Sequence, residues 1–245
     1  MWSGASPLRP VARSFRLRHG RNVELVSKSI ARTLSLLLLV VVLATSCAYF
    51  SGRSSSGAQG NADSAGTTLD GLEVSEPGSM SGYSREKFPH WSKASEFGWD
   101  PPESSCDTRE AALIRDGQDV EIGRECKVES GTWLDPYTTN TYTAPSDIDA
   151  DHIVPLANAW RSGASSWDNE ARERYANDPE VLLSVEDNAN QAKGDKGPEA
   201  WKPPNEAEWC DYAVRWIGIK DKYDLSVNEQ EKTALVEMLD ACEGG

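Results

Sequence analysis

The spacing of apolar and polar residues predicts a domain in which helices are mixed with short strands. Helices are predicted where apolar residues recur every three or four positions beside capping residues, over 107–116, 155–161, 168–175, 187–193 and two stretches near the C-terminus. Strands are predicted where β-branched and aromatic residues lie between turn residues, over 120–128, 132–134, 142–148 and 181–185. This mixture of elements is typical of the α+β class.

Capping residues and apolar stripes refine the prediction for three of these helices. Asp107 can cap the first helix and Gly117 can end it. Ser226 and Glu229 have the spacing of a capping box at the start of the last helix. The last two helices each carry an apolar stripe, which predicts packing against the core. The stripes are Trp209, Tyr212, Ala213, Trp216 and Ile217 on one helix, and Leu235, Met238, Leu239 and Cys242 on the other.

The predicted strand over 142–148 leads directly into the polar sequence Asp149-Ala150-Asp151-His152. Alternation along a strand places Asp149 and Asp151 on one face and His152 on the other. A bend at the end of the strand is therefore required to bring Asp151 and His152 to one site.

The first 47 residues have the composition of an export signal. A basic region precedes an apolar run over 34–44, which is shorter than the roughly 20 residues of a membrane span. The run ends at Thr45-Ser46-Cys47, which resembles a bacterial lipoprotein box in which the cysteine is lipidated. The alternative is an ordinary secretory signal with an incidental Cys47. Both interpretations predict an exported protein, either a membrane lipoprotein held by its lipid anchor or a secreted one.

Two segments follow the predicted signal. Residues 48–84 are rich in Ser and Gly and carry few apolar residues, so they bury too little surface to offset chain entropy and predict a flexible linker. Residues 85–245 have the length of about one domain. They contain eight of the nine tryptophans, so this segment can form a core.

The charge of the chain argues against long-range attraction to nucleic acid. The chain has 25 basic and 39 acidic residues, of which seven basic and one acidic precede Cys47. The part after the signal therefore has 18 basic and 38 acidic residues, a net charge of −20. Such a surface repels polyanions but favours solubility and the capture of divalent cations.

Four cysteines remain if Cys47 is the lipidation site, and an even number outside the cytoplasm indicates disulfides. Among three possible pairings, Cys106–Cys126 and Cys210–Cys242 are favoured because each pair brackets one local unit. A zinc site is the alternative, but the chain has no Cys-x-x-Cys spacing and few histidines.

The chemistry-bearing residues cluster around His152. Hydrolysis of a phosphodiester requires a base for water and a cation that offsets charge on the phosphate and the leaving oxygen. Histidine has a pKa suited to the base. Asp151 and Asn190 offer the hard oxygen ligands that Mg²⁺ or Mn²⁺ prefers. These residues predict a site for one divalent metal ion beside a general base.

Five stretches, in order along the chain, carry a resemblance to a known family. They are Cys106-Asp107-Thr108-Arg109-Glu110, Gly131-Thr132-Trp133-Leu134-Asp135-Pro136-Tyr137, Asp149-Ala150-Asp151-His152-Ile153-Val154-Pro155-Leu156, Asn158-Ala159-Trp160-Arg161-Ser162-Gly163-Ala164 and Asn190-Gln191-Ala192-Lys193-Gly194-Asp195. The chain resembles the secreted branch of the HNH endonucleases related to the C-terminal domain of GmrSD-type restriction enzymes. The resemblance covers about residues 105–204.

This resemblance implies an α+β fold with a ββα-metal core, also called a His-Me finger, with additional helices and disulfides. It implies that His152 is the general base, that Asp151 and Asn190 hold the metal, and that Lys193 contacts the phosphate or anchors the site. Residues expected around the site or against the substrate are Asp149, Asn188, Arg109 and Arg161.

The chain departs from the family pattern at one position. The middle asparagine of an HNH motif is expected near Val181, whose side chain cannot orient a histidine by a hydrogen bond. Asn188, Asn177 or a backbone carbonyl can take that role instead.

The resemblance and the chemistry together predict an exported, metal-dependent endonuclease acting on DNA. Two alternatives stay open, a catalytically weak or inactive envelope binding module and a phosphodiesterase acting on another anionic polymer. A local basic groove is expected to offset the global charge near the site. Its expected members are Arg161, Arg172, Arg174, Lys193, Lys196 and Lys202.

Overall fold

The structure of the protein, a computed structural model, describes residues 55–243 and has both helices and strands. Its α-helices are α1 (Ser55–Gly71), α2 (Thr108–Asp116), α3 (Leu156–Arg161), α4 (Asn169–Asn177), α5 (Asp187–Lys193), α6 (Trp209–Lys222) and α7 (Glu229–Asp240). Its strands are β1 (Gln118–Ile122), β2 (Val128–Leu134), β3 (Thr141–Tyr142), β4 (Ile148–His152) and β5 (Leu182–Glu186). The predicted α+β mixture is therefore present.

The strands form two small antiparallel sheets. One sheet has the order β1-β2-β3, and the other pairs β4 with β5. In the second sheet Asp151 lies opposite Leu183 and His152 opposite Leu182. Helices α3 and α4 are inserted between the two paired strands, and α5 follows β5 directly. The end of β4 is thus fixed by a neighbouring strand and by the helix that follows it.

Two predicted strands have different limits in the structure. The prediction over 120–128 is interrupted by a turn in which Glu125 and Cys126 have positive φ angles of 58° and 62°. L-residues rarely adopt this region in a strand. The prediction over 142–148 is interrupted by a short 3₁₀ turn at Pro145–Asp147, and proline disfavours continuation of a central strand.

The apolar stripes predicted on the last two helices lie in the main core. Tyr212, Ala213, Trp216 and Ile217 on α6 are buried, and Leu235 and Met238 on α7 pack in the same cluster. The cluster also contains residues next to the catalytic candidates, including Ile153. Because β4 ends against this core, the backbone around His152 has little freedom to move.

The N-cap of the last helix lies two residues after the one predicted. Asn228, not Ser226, is the N-cap, and it exchanges hydrogen bonds with Glu231 in a capping box. Glu231 is buried and also binds Trp216 Nε1 at 2.7 Å and Lys220 Nζ at 3.0 Å. These contacts favour a helix start in which Glu231, and not Glu229, is the acidic residue of the capping box.

The predicted flexible linker is wrong for the described part of residues 48–84. Residues 55–71 form α1, which packs on α6 and α7. Ala62, Ala65 and Leu69 are buried at helical spacing, and small residues let two helices approach closely. The segment after α1 also follows the domain surface, where Gly78 N–H donates to the Arg161 carbonyl at 2.7 Å.

Both predicted disulfides are confirmed. Cys106 is bonded to Cys126, and Cys210 to Cys242. The first joins the start of α2 to the turn before β2, and the second joins α6 to the end of α7. The predicted export signal and Cys47 lie outside the described residues. Within residues 55–243, none of the helices is both long and apolar enough to cross a membrane.

Candidate active site

The carboxylate of Asp151 is held from two sides at the end of β4. Its Oδ1 accepts a hydrogen bond from Lys193 Nζ at 2.8 Å, and its Oδ2 accepts one from the Tyr137 hydroxyl at 2.8 Å. Asp151 is only 4% exposed. Tyr137 follows β2 and Lys193 ends α5, so three separate elements fix the direction of this carboxylate.

Lys193 is a buried cation that anchors the site. Its Nζ contacts Asp151 and also donates to the His152 carbonyl at 2.9 Å. Lys193 is fully buried, and burial lowers its pKa while the Asp151 carboxylate acts in the opposite direction. This placement fits an anchoring role and does not fit the alternative of direct contact with a phosphate.

His152 is arranged as a neutral base. Its Nε2 lies 3.0 Å from the Ala176 carbonyl oxygen. A carbonyl only accepts, so Nε2 carries the ring proton and Nδ1 keeps its lone pair. Burial, and secondly the charge of Arg85, lowers the pKa of His152 to about 3. The ring is therefore unprotonated at neutral pH and can accept a proton through Nδ1.

The orienting contact for His152 comes from the backbone and not from a middle asparagine. Val181 is buried, and its carbonyl accepts from Ile153 N–H at 2.9 Å. The Ala176 carbonyl that binds the ring stands at the end of α4. Of the alternatives for orienting the ring, a backbone carbonyl is therefore the one that the geometry supports.

Asn177 holds that carbonyl in place. Its side-chain oxygen accepts from Ser92 N–H at 2.9 Å and from Thr108 Oγ1 at 2.7 Å. Its amide nitrogen donates to the carbonyls of Pro89 and Glu173 at 2.9 and 2.8 Å. Asn177 is fully buried, so these four bonds lock the end of α4 against α2 and the preceding segment.

Asn188, by contrast, forms its side-chain hydrogen bond at the start of α5, the helix to which it belongs. Its amide donates to the Glu186 carboxylate, which also caps α5 by accepting from Ala189 N–H at 2.7 Å. This pair belongs to the cap of α5, and its described contacts do not include His152.

Two aromatic residues that sequence reasoning did not assign to the site contact His152. The ring centroids of His90 and Trp91 lie 6.3 and 5.9 Å from that of His152. His90 Nδ1 lies 2.7 Å from the Phe88 carbonyl. These residues lie about 60 positions before His152 in the sequence, so no local pattern indicates their proximity.

Asp151, His152 and Asn190 line one cleft of about 240 Å³. Asp151 and His152 therefore face the same cleft at the end of β4. Their hydrogen-bond partners differ, because Asp151 is bonded to Lys193 and the His152 ring to the Ala176 carbonyl. Tyr83 and Arg85 line the same cleft. A larger depression of about 380 Å³ lies nearby, but no histidine lines it, so the smaller cleft is the better candidate for proton transfer.

Asn190 lines this cleft and is oriented by Asp149. Its amide nitrogen donates to Asp149 Oδ2 at 3.1 Å. This bond fixes the amide with its nitrogen towards Asp149. Within residues 55–243 the Asn190 side-chain oxygen accepts no hydrogen bond, so it is available to a ligand. Asp149 therefore orients Asn190 and does not itself line the cleft.

The oxygens of Asp151 and Asn190 fit a hard cation that keeps most of its waters, such as Mg²⁺. A carboxylate oxygen has lone pairs beyond the one used in each hydrogen bond. A denser ligand set is absent from the described chain, in which no cluster of three or more His, Cys, Asp or Glu is suited to a metal. The donor set is compatible with Mg²⁺ or Mn²⁺ and does not match a structural zinc site.

The two arginines expected near the substrate, Arg109 and Arg161, bind groups of the protein itself. Arg109 pairs with Glu110 at 2.8 Å and donates to the Ile148 carbonyl at 3.3 Å. Arg161 pairs with Asp195 at 2.8 Å and donates to its carbonyl at 2.7 Å. Both support the backbone around the site.

Most members of the expected basic groove are paired with groups of the protein, but Lys196 is exposed and forms no ion pair within residues 55–243. Arg172 is buried and Lys193 pairs with Asp151. Arg174 pairs with Glu170, and Lys202 with Glu237. Acidic residues are numerous enough in this chain to neutralise most of its cations. The groove itself stays a prediction.

Comparison with known proteins identifies relatives. Residues 108–238 match the family model described as GmrSD restriction endonucleases, C-terminal domain. A protein of Arthroderma benhamiae, named "Uncharacterized secreted protein", is 49% identical over 185 residues, which cover 74% of this chain and 86% of that protein. No solved structure matches the chain significantly.

Proposed function

The chain belongs to the family of GmrSD restriction endonuclease C-terminal domains, and from this premise we propose that it is a metal-dependent endonuclease. It hydrolyses phosphodiester bonds of DNA outside the cytoplasm. The observation that carries the proposal is the cleft shared by neutral His152, Asp151 and Asn190. The antiparallel pair β4-β5 with α5 behind it serves as the ββα-metal core.

His152 acts as the general base. Its Nδ1 accepts a proton from water, while the Ala176 carbonyl keeps the ring in the tautomer that leaves this nitrogen free. Because burial lowers the pKa of His152 to about 3, the ring is neutral at pH 7 and can accept a proton, although so low a pKa also makes it a weaker base than an exposed histidine. Lys193 and Asn177 hold the backbone on either side of the ring and position it.

Asp151 and Asn190 hold one divalent metal ion. When bound, Mg²⁺ or Mn²⁺ supplies positive charge to the phosphate and the leaving oxygen. Asp151 is directed by Lys193 and Tyr137, and Asn190 is directed by Asp149. These supporting bonds reduce the reorganisation needed when the ion binds.

The protein acts after export. This part of the proposal is supported by the N-terminal signal pattern, by two disulfides and by the name of the Arthroderma benhamiae relative, which describes that protein as secreted. Disulfides persist in oxidising compartments. Lipidation of Cys47 stays a prediction.

Plasmid cleavage tests the proposal. The purified, oxidised protein is incubated with supercoiled plasmid at low salt, with Mg²⁺, with Mn²⁺ or with EDTA. We expect nicking or linearisation with a metal and none with EDTA. Equal cleavage with EDTA would contradict the metal site, and no cleavage by a folded protein in any condition would contradict the nuclease assignment.

A second candidate is a non-catalytic binding module on the same fold. The observation that favours it is that both carboxylate oxygens of Asp151 are already bonded, one of them to a cation. Such pairing weakens attraction for a metal ion. This candidate predicts binding of a metal or a phosphodiester polymer without hydrolysis of DNA or of any other such polymer.

A further inference from the structure

Arg85 places a positive charge in the candidate active site from outside the matched family region. It lines the cleft with Asp151, His152 and Asn190. It is the one lysine or arginine among the described residues that does so. The family match begins at residue 108, so it carries no information about Arg85.

The segment that carries Arg85 is fixed on both sides by aromatic residues. Arg85 begins a short 3₁₀ turn, Arg85–Lys87. Phe88 after the turn is fully buried, with its ring centroid 6.1 Å from Tyr175 and 6.4 Å from Trp160. Tyr83 before the turn packs edge-on against Trp160 at 5.8 Å. The base of the Arg85 side chain is therefore held beside the cleft.

The guanidinium of Arg85 differs from the other cations around the site. Lys193 is paired with Asp151, and Arg161 with Asp195. Within residues 55–243, by contrast, no carboxylate lies within ion-pair distance of Arg85, and its side chain is exposed. In a chain with this excess of acidic residues, an arginine beside a cleft without such a partner is available for an external anion. A guanidinium binds phosphate oxygens in a bidentate way.

We propose that Arg85 binds the non-bridging oxygens of the substrate phosphodiester and that this is the one ionic contact that a side chain of the cleft makes with the substrate. The site therefore recognises its substrate one phosphodiester at a time, and the protein does not track a polyanion along its surface. This inference rests on the proposed function, because it takes the phosphodiester as the substrate. It extends that function by naming the anion-binding residue and the number of phosphate contacts.

The number of ionic contacts has a direct thermodynamic signature. Each phosphate neutralised by the protein releases counterions, so the slope of log K against log salt is about −0.7 per contact on a single strand. One contact predicts a slope of about −0.7. A protein that makes 6–10 contacts on a single strand has a slope of about −4 or steeper.

The test measures binding apart from cleavage. Binding of a short fluorescent single-stranded DNA is measured in EDTA, at several concentrations of monovalent salt, on the full chain carrying His152→Ala, which lacks the proposed base. In this background Arg85→Gln is expected to weaken binding about tenfold or more and to bring the salt slope close to zero. Arg85→Lys keeps the charge but not the planar fork, so it should keep the slope and lose part of the affinity.

Arg174→Gln is the matched control, because Arg174 is an exposed arginine that pairs with Glu170 away from the cleft. It is expected to leave affinity and slope unchanged. An Arg85→Gln protein that binds with unchanged affinity and slope would overturn the proposal. So would a slope of about −4 in the parent protein.

The two proposals fail in different ways. If the wild-type protein cleaves DNA and Arg85→Gln changes neither binding nor its salt slope, the anion-site proposal fails alone. If binding depends on Arg85 but the wild type cleaves no phosphodiester polymer, the nuclease proposal fails and Arg85 remains a phosphate-binding residue.

Discussion

At the scale of single residues, the candidate site depends on ionisable groups that are buried. His152 and Lys193 are both removed from water at the same strand end, and the buried Asp151 carboxylate accepts a hydrogen bond from Lys193. Burial lowers the pKa of both His152 and Lys193, but only Lys193 has a carboxylate partner that acts against this shift. Lys193 and Asp151 thus form a buried ion pair, whereas burial keeps the His152 ring neutral.

The low pKa of His152 predicts a specific dependence of stability on pH. Between pH 6.5 and about 3 the unfolded chain binds a proton at His152 that the folded chain does not, so folding is disfavoured as the pH falls through this window. From pH 7 to pH 5 the cost is about 2 kcal/mol. Urea unfolding at pH 7 and at pH 5 gives the free energy of unfolding at each pH. Between the two, wild type should lose about 2 kcal/mol more of this free energy than His152→Gln does. Equal losses would contradict a buried neutral histidine.

Removal of the buried cation should destabilise the fold strongly. Lys193→Met leaves the Asp151 carboxylate buried without its ionic partner, and such changes cost about 3–5 kcal/mol. The matched control is Lys196→Met, because Lys196 is exposed and its Nζ contacts only the Ala192 carbonyl among the described residues. Chemical denaturation should place the control within about 0.5 kcal/mol of wild type. A Lys193→Met protein as stable as the control would contradict the anchoring role.

At the scale of elements, α1 shows how a stretch of low complexity can still form part of the core. Its buried residues are mostly alanines, and the serines and glycines around them hide the stripe in the composition. Leu69 is 1% exposed and is the largest buried side chain of this helix. The helix therefore extends the domain to positions that sequence reasoning assigned to a linker.

Truncation of Leu69 tests whether α1 is part of the folded domain. Leu69→Ala is expected to lower the free energy of unfolding by about 2–5 kcal/mol, because it removes buried methyl groups and leaves a cavity. Thr67→Ala on the exposed face is the matched control and should have little effect. If both variants unfold at the same denaturant concentration as wild type, α1 does not pack on α6 in solution.

Several local elements could be predicted from the sequence because their signals lie within a few residues. Asp107 caps α2 and Gly117 ends it as predicted, and α5 has the predicted limits. The cap of α7 could not be predicted, because both Ser226 and Asn228 begin a capping-box sequence. The choice between them depends on contacts of Glu231 with α6, which are tertiary.

The same distinction applies to the candidate site. Asp151, His152 and Asn190 could be singled out from their spacing and family resemblance, and the structure brings all three to one cleft. The Ala176 carbonyl, His90 and Arg85 could not, because they reach His152 only through folding. A backbone carbonyl in particular has no sequence signature.

At the scale of the whole molecule, the site is completed by chain that lies before the family match. Residues 108–238 provide the strand pair, the metal-ligand candidates and the core helices. The preceding segment provides Arg85 and the aromatic contacts of His152. With a net charge of −20 after Cys47, the molecule as a whole repels nucleic acid. Local recognition at the cleft must therefore overcome an unfavourable global field, which predicts weak, short-range binding of substrate.

The most direct measurement is the rate of metal-dependent plasmid cleavage by wild type and by His152→Ala, prepared identically and shown to be folded by thermal unfolding. Removal of a general base typically lowers the rate by about 10²–10⁴-fold, so the account predicts loss of cleavage to that extent while binding of single-stranded DNA persists. Cleavage by His152→Ala at the wild-type rate would contradict the central claim that this buried, neutral histidine is the base.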